Sequence, residues 1–375
     1  MRTNRTAFVL TIGLGAIGCG GATPEPSPPP PAPAAAPMPA PAAEPAAKVE
    51  PSAPAPSPPE VKPTPEQAKT VDAFTGDWTY QASITPPGGK TIKVPIGMSC
   101  KKIAMGKGAS CAMSETIAGM GPFEAGFLVG FDPLDKTMHF MAVTSDDELH
   151  DHRCKWKDET SLACEPLKAG LGGQPVTEDL SFTFDKDSGS FKSVTTMKNG
   201  KFIFDGTNGK RGALPPKKDA GKMKLPKPLA EQKRTVDAFT GDWKVEGSIT
   251  TPDGKSTQAP ITIAAAKTAL GKGVSGLMTG STPMGPFEAG ILVGYDPLDK
   301  TTHFMAVTTD DEVHDHRCKW KDEKNLVCDP LHAGMGGEPI TEDLSFSFDK
   351  ASMSFKSVVT MKDGGKVTFE GKGTK

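Results

Sequence analysis

The stretch FEAGFLVGFDPLDKTMHFMAVT, residues 123–144, contains two strand patterns joined by a turn, and it decides the fold class. In its first half, Phe123, Phe127 and the residues between them alternate apolar side chains with mostly small or polar ones. This period of two is typical of a β-strand with one face in a core. The central DPLDK carries Pro and Asp, which favour a tight turn. The stretch therefore predicts an antiparallel hairpin.

Other parts of the chain show the same kind of pattern. DLSFTF, residues 179–184, places its large apolar side chains on one face, and Asn199-Gly200 is a strong hairpin-turn signal. The one helical pattern is a short amphipathic turn around Thr70–Phe74. Many short antiparallel strands in a unit of this size predict a β-sandwich or a closed β-barrel.

The hairpin recurs because most of the chain is an internal duplication. Residues 120–167 match residues 284–331 at 39 of 48 positions. A repeat of about 140 residues is too long for a solenoid and long enough for a domain with its own core. We therefore predict one domain at residues 66–206, a Lys/Pro-rich linker at 207–230 and a second domain at 231–375. Each domain is expected to fold alone.

Two short motifs favour a barrel by resemblance. Gly76-Asp77-Trp78, after the short helical pattern, resembles the G-x-W start of lipocalins, in which the tryptophan plugs the closed end of the barrel. The resemblance extends to an uncharacterised family of lipocalin-like (calycin-type) bacterial secreted domains, which share a G-Y-D-x-x-x-K hairpin. Here that hairpin is Gly130-Phe131-Asp132 with Lys136, and it recurs in the second repeat. The resemblance implies an all-β protein with two tandem antiparallel lipocalin-like β-barrels, and it implies no particular chemistry.

The N-terminus predicts export and lipidation. Residues 1–19 combine two arginines with an apolar run that is too short to span a bilayer. Ala16-Ile17-Gly18-Cys19 resembles the lipobox of bacterial lipoproteins, which implies a signal peptide and a lipid on Cys19. Cleavage by an ordinary signal peptidase is the alternative. Residues 20–65 contain 18 of the 36 prolines, so we predict a disordered Pro/Ala-rich tether.

These features predict a location and a set of partners. A lipidated chain is anchored to a membrane, so we expect this protein in the bacterial cell envelope, in the outer membrane, on the periplasmic side or at the cell surface. The formal net charge of −2 gives no indication of nucleic-acid binding.

The remaining six cysteines predict disulfide bonds, because an even number in a secreted chain is typical of a bonded set. One pair in the first repeat, Cys154 and Cys164, has the same short spacing as the pair Cys318 and Cys328 in the second. A further pair in the first repeat, Cys100 and Cys111, is replaced in the second repeat by Ala265 and Gly276. The loss of both partners together is what a bonded pair predicts. The predicted bonds are Cys100–Cys111, Cys154–Cys164 and Cys318–Cys328.

The candidate site lies in ELHDHRCKW, residues 148–156, which recurs as EVHDHRCKW, residues 312–320. On a strand, His150, His152 and Trp156 share one face, and the apolar neighbours on that face indicate the barrel interior. Asp151 then faces water, and the preceding acidic turn is expected to be a solvated hairpin tip. The ligand-binding candidates are His139, His150, His152, Trp156, His303, His314, His316 and Trp320.

His139 joins this face only in one of two registers. If the loop between the two strands has an even number of residues, His139 lies inside the barrel with His150 and His152. If the loop differs by one residue, His139 lies outside.

Three hypotheses for these histidines remain open. In the first, they form a polar patch that orients a small apolar or amphipathic ligand in a cavity. In the second, they bind zinc or copper with an open coordination position, which would allow enzymatic chemistry. The predicted metal ligands are then His139, His150, His152, His303, His314 and His316. In the third, they are hydrogen-bonded structural residues of an interaction module. No G-x-S-x-G, HExxH or P-loop motif is present, so we assign no catalytic residue and favour a non-enzymatic binder.

Overall fold

The computed structural model describes residues 62–117, 119–215 and 227–375. The predicted signal peptide, Cys19, nearly all of the tether and the centre of the linker lie outside the described residues. Two closed antiparallel ten-stranded β-barrels follow each other along the chain, which confirms the predicted fold class. Among the described residues, no helix combines the length and apolar character needed to cross a membrane.

The first barrel is preceded by a short helix. Its elements are α1 (Pro65–Phe74), β1 (Gly76–Thr85), β2 (Ile92–Ile103), β3 (Gly108–Ile117), β4 (Gly121–Asp132), β5 (Thr137–Thr144), β6 (Leu149–Trp156), β7 (Ser161–Cys164), β8 (Leu167–Leu171), β9 (Gln174–Asp185), β10 (Ser188–Met197) and β11 (Gly200–Arg211). Strand β11 pairs with β1 and closes the ring, while β7 pairs with β9 and leaves β8 outside the ring. Strand β11 continues past the predicted end of the domain at residue 206.

The second barrel repeats this arrangement. Its elements are α2 (Ala230–Phe239), β12 (Gly241–Thr250), β13 (Ser256–Gln258), β14 (Ile261–Thr268), β15 (Gly273–Thr282), β16 (Gly285–Asp296), β17 (Thr301–Thr308), β18 (Val313–Trp320), β19 (Asn325–Cys328), β20 (Leu331–Met335), β21 (Glu338–Asp349), β22 (Ser352–Met361) and β23 (Lys366–Thr374). Strand β23 pairs with β12 to close the ring, and β13 and β20 lie outside it.

Helix α1 covers one end of the first barrel. Thr64 caps the helix by accepting a hydrogen bond from the Gln67 backbone, and Pro65 occupies the first turn, where its missing N–H costs nothing. Phe74 is fully buried, and its ring contacts those of three core phenylalanines. Trp78 Nε1 donates to the Phe74 carbonyl over 2.9 Å. The tryptophan of the G-x-W motif is therefore joined to the helix that covers this end.

The three predicted disulfides are confirmed. Each joins residues that lie directly opposite each other on neighbouring strands. The Cα–Cα distances are 4.0 Å for Cys100–Cys111, and 3.7 Å for both Cys154–Cys164 and Cys318–Cys328.

The outer faces of β4 and β5 are buried against the second barrel rather than exposed to water. Leu128 and Met141 point outward from the first barrel and are fully buried, as are Leu292 and Met305 of the second. These residues belong to a third hydrophobic cluster between the barrels: Ile103, Ala104, Leu128, Met141, Val143, Leu149, Ala269, Leu292, Met305, Val307 and Val313. Burying both faces of a strand is why its apolar pattern is not a clean alternation.

Polar contacts frame this cluster with approximate two-fold symmetry. Lys107 Nζ lies 2.8 Å from Asp311 Oδ1, and the equivalent Lys272 Nζ lies 2.8 Å from Asp147 Oδ1. Gln67 of α1 also donates to Asp311, over 2.7 Å. Because each lysine is buried and pairs across the interface, the two barrels form one interlocked unit.

The glycine of the G-Y-D-type hairpin is required by this contact. A Cβ on Gly130 would lie 2.8 Å from Val307 Cγ2 and 3.0 Å from Val313 Cγ2 of the other barrel. Gly294 faces Val143 and Leu149 in the same way. The motif therefore serves the approach of the two barrels.

Candidate functional site

The pairing of β5 with β6 decides which histidines share a face. Ala142 lies opposite His150, Phe140 lies opposite His152, and His139 lies opposite Arg153. His150 and His152 therefore point into the barrel as predicted, while His139 points outward. The sequence-based grouping of His139 with His150 and His152 is wrong.

The hairpin turn is the physical reason. The last strand pair before the turn is Val143 with Leu149, which leaves five residues in the loop rather than an even number. The Thr144 backbone donates to the Glu148 carbonyl over 2.9 Å, and Asp147 adopts a left-handed conformation with φ of 67°. The same register places His303 outside the second barrel, opposite Arg317, so its grouping with His314 and His316 is also wrong.

His139 forms an ion-pair network on the outer face. Its Nδ1 lies 2.9 Å from Asp151 Oδ2, and its Nε2 lies 3.6 Å from Asp135 Oδ2. Burial alone would lower the pKa of His139, but the two carboxylates outweigh it and raise the pKa to about 9. Asp151, which was expected to face water, is only 12% exposed in this network. The equivalent residues in the second repeat, with distances of 2.7 and 3.4 Å, are His303, Asp315 and Asp299.

Inside the first barrel, two histidines meet two carboxylates. His152 Nε2 lies 2.9 Å from Glu178 Oε2, and His150 Nδ1 lies 3.6 Å from the same oxygen. His150 Nδ1 also lies 3.9 Å from Glu148 Oε1. Ser193 Oγ donates to the other Glu178 oxygen over 2.6 Å. We call His150, His152, Glu148 and Glu178 the inner cluster.

The second barrel contains an equivalent inner cluster. His316 Nε2 lies 2.9 Å from Glu342 Oε2, and Ser357 Oγ donates to Glu342 Oε1 over 2.6 Å. His314 completes the group with His316 and Glu342, and one donor atom from each lies within 4.8 Å of the others. Both barrels therefore contain the same group of two histidines, a glutamate and a serine that donates to the glutamate.

The carboxylates of the inner cluster were missed by the sequence analysis. Glu178 lies on β9, where Val176, Leu180 and Phe182 are its inward neighbours at a period of two. A glutamate on an otherwise apolar strand face is a signal that could have found it. Glu148 belongs to the turn that was expected to be solvated, but its side chain is only 15% exposed and points toward Glu178.

Burial and mutual charge set the protonation of the inner cluster. Burial raises the pKa of Glu148 well above its usual range, and the nearby Glu178 carboxylate raises it further. Burial opposes ionisation of Glu178, but His150, His152 and Ser193 outweigh it and lower the pKa to about 2. Burial lowers the pKa of His150 to about 4, so its imidazole is neutral at physiological pH.

Each inner cluster forms one wall of a cavity. The cavity has a volume of about 100 Å³ in the first barrel and about 160 Å³ in the second. Glu148, His150, Glu178 and Ser193 line the polar wall of the first cavity. Its apolar lining includes Ile84, Met98, Met113, Phe123, Phe127, Phe140, Phe191, Phe202 and Phe204. The cavity therefore has an apolar body and one polar end.

The remaining candidates lie behind or away from this cavity. His152 is fully buried behind the lining, and Trp156 packs against helix α1, where its Nε1 donates to Thr70 Oγ1 over 3.1 Å. Trp320 makes the same contact with Thr235. His314 lines the second cavity, while His316 does not.

Comparisons with known proteins add little to this geometry. No protein-family model and no curated protein matches the chain. The solved structures that match include a protein of unknown function from the DUF3598 family of Nostoc punctiforme, with 9% identity and a TM-score of 0.24 over 83% of this chain and 100% of that one. They also include the Pseudomonas aeruginosa MucA/MucB complex, with 12% identity and a TM-score of 0.14 over 81% and 90%.

A third is a putative AttH from Nitrosomonas europaea, with 10% identity and a TM-score of 0.13 over 86% of this chain and 98% of that one. The TM-scores of these three structures are far below 0.5. Their likeness therefore carries no argument about the site.

Proposed function

We propose that this is a lipid-anchored envelope protein whose two barrels each bind a small apolar or amphipathic ligand without catalysing a reaction. One observation carries the proposal, namely the duplicated cavity with an apolar body and a single polar end. Small-molecule sites are typically concave and mostly apolar, with a few polar groups that fix the orientation of the ligand. The Glu148–His150–Glu178 wall supplies those groups in the first barrel.

The proposal includes membership of the lipocalin-like family of secreted domains. It is supported by the closed barrel, by the helix and tryptophan at its covered end, and by the hairpin motif. The ten strands of each ring exceed the eight of lipocalins, which gives a wider barrel with room for a ligand.

Filling the cavities tests the binding function. Ala142 and Ala306 line the first and second cavities. We expect the native protein to bind two molecules of a fluorescent apolar probe, the Ala142→Phe variant to bind one, and the variant with both Ala142→Phe and Ala306→Phe to bind none. Overpacking should cost about 1–3 kcal/mol per site, so each fold is checked by circular dichroism.

The control is Ala112→Phe, which adds the same ring to an exposed position on β3 and should leave two sites. Native protein that binds no probe would contradict the binding function and would favour a structural interaction module.

The anchor has its own test. The three disulfides are typical of an oxidising compartment outside the cytoplasm and support export. We expect Cys19→Ser to abolish labelling with radioactive fatty acid and to release the protein from membranes. Labelling that survives the substitution would overturn the lipoprotein hypothesis.

A second candidate function is that of a zinc or copper protein. The observation that favours it is the close grouping of His150, His152 and Glu178, and of their equivalents in the second barrel. This donor set contains two histidines and a carboxylate rather than the three histidines predicted from the sequence.

A further inference from the structure

We propose that each inner cluster binds one divalent first-row transition-metal ion, with a mixed nitrogen and oxygen donor set. In the first barrel the ligands are His150 Nδ1, His152 Nε2 and Glu178 Oε2, and Glu148 Oε1 lies beside them, 3.9 Å from His150 Nδ1. In the second barrel they are His314, His316 and Glu342. The inference rests on the proposed function in one respect, because it assigns the ion to the polar end of the ligand cavity.

The spacing of the donor atoms fits a bound ion. Imidazole and carboxylate ligands bind zinc at about 2.0–2.2 Å, so two ligands on a tetrahedral ion lie about 3.3 Å apart. The distance from His150 Nδ1 is 3.6 Å to Glu178 Oε2 and 3.9 Å to Glu148 Oε1. His152 Nε2 is 2.9 Å from Glu178 Oε2. One donor atom from each of His150, His152 and Glu178 lies within 4.8 Å of the others, so side-chain adjustments would bring these atoms around one ion.

Two buried polar atoms at this site lack a hydrogen-bond partner among the described residues. The His150 side chain is only 5% exposed, and its Nδ1 has no hydrogen-bond partner among the described residues. The same holds for Glu148 Oε1, and for His314 Nδ1 in the second barrel. Buried polar atoms without a partner are rare in native proteins and call for an explanation such as a bound ion. The same imidazole nitrogen is therefore without a partner in both repeats.

The surroundings of Glu178 support a metal ligand. Its second oxygen accepts a hydrogen bond from Ser193 Oγ at 2.6 Å, which fixes the orientation of the carboxylate. Ser357 does the same for Glu342. Metal-binding carboxylates are typically held by such outer contacts. The donor types favour zinc, iron, nickel or copper over magnesium and calcium, since imidazole is not a ligand that the last two prefer.

The inner clusters also border a second open space. His150 lines the cavity of the first barrel and also a polar cleft of about 560 Å³ between the barrels. His314 lines the second cavity and the same cleft. Each inner cluster is therefore bordered by the cavity of its own barrel and by the cleft.

Zinc titration of the metal-depleted full chain tests the proposal. We expect two zinc ions per chain after dialysis, one in the His150→Ala variant, and none when His150→Ala and His314→Ala are combined. Glu178→Gln, which keeps the shape of the side chain, should also remove one ion. Zinc should raise the thermal midpoint of the native protein and not that of the double variant, because an ion that binds only the folded state stabilises it.

The matched control is His332→Ala, which removes an exposed histidine of the second repeat and should leave two ions bound. Two ions retained by the double variant, or a loss caused by His332→Ala, would mean an adventitious ion only and would overturn the proposal.

Probe binding separates this inference from the proposed function. Metal-depleted protein that binds the apolar probe at two sites but takes up no zinc overturns the metal site and leaves the binding function standing. Protein that takes up two zinc ions but binds no probe supports the metal site and overturns the binding function.

Discussion

Residues 62–215, produced alone in an oxidising compartment, are expected to fold as a barrel and to form a dimer rather than a monomer. In the full chain, Leu128, Met141, Val143 and Leu149 are buried by the second barrel. Separation would expose this apolar patch to water, and such patches drive association.

A symmetric dimer of the first repeat would also replace the lost polar contacts. In the full chain, buried Lys107 pairs with Asp311, and Asp147 pairs with Lys272. Asp147 and Asp311 are equivalent residues of the two repeats, as are the two lysines. In a two-fold dimer, Lys107 of each copy would therefore meet Asp147 of the other, which is the self-complementary pattern that such interfaces require.

Analytical ultracentrifugation measures whether the isolated repeat is a monomer or a dimer. Met141→Lys should shift it to monomer, because the substitution places a charge at the centre of the contact. Ala112→Lys, at an exposed position of the same barrel, should leave the dimer intact. A monomer formed without any substitution, with the unfolding midpoint of the full chain, would show that the barrel–barrel contact contributes nothing.

The second large effect is expected in the dependence of stability on pH. Four charged groups of the first repeat face His139: Asp132, Asp135, Asp151 and Arg153. The pKa of His139 is raised from 6.5 to about 9, as is that of His303. A raised pKa in the folded state means that the stabilisation is fully present below pH 6.5 and is lost as the pH rises toward 9. The free energy involved is roughly 3 kcal/mol for each histidine.

Urea unfolding between pH 6 and pH 9 measures this decline. The variant with both His139→Gln and His303→Gln should be less stable than the native protein at pH 6, and it should not show the decline between pH 6.5 and 9. His332→Gln, at the exposed histidine, should keep the native decline. A native free energy of unfolding that stays constant or rises from pH 6.5 to 9 would contradict the assignment.

Much of the fold could be predicted because it depends on local patterns. The alternation in residues 123–131, the turn at 132–136 and the duplication predict two antiparallel β domains. The cysteine spacing predicts all three disulfides, because partners across a hairpin are close in the chain. The alternation of ELHDHRCKW also predicts that His150 and His152 point inward, since neighbours on a strand face opposite sides.

The sequence identity between the two repeats varies along the chain in a way that follows the tertiary structure. Residues 79–114 match 244–279 at only 15 of 36 positions, whereas residues 120–167 match 284–331 at 39 of 48. The better-matched block contains β4 to β6, which carry both the inner histidines and much of the barrel–barrel contact. In a two-fold contact each of these positions meets the equivalent surface of the other repeat, so a change in one copy must suit both.

The composition of the site depended on contacts that no local pattern contains. A single residue in the loop between Val143 and Leu149 decides whether His139 lies inside or outside the barrel, because the period of a strand is two. Glu178 meets His152 only because β7 pairs with both β6 and β9, which brings together two residues that are 26 apart in the chain. The outer faces of β4 and β5 are buried from solvent only because a second barrel covers them. Alternation along the chain determines which side chains share a face, whereas register, ring closure and the barrel–barrel contact determine what each face meets.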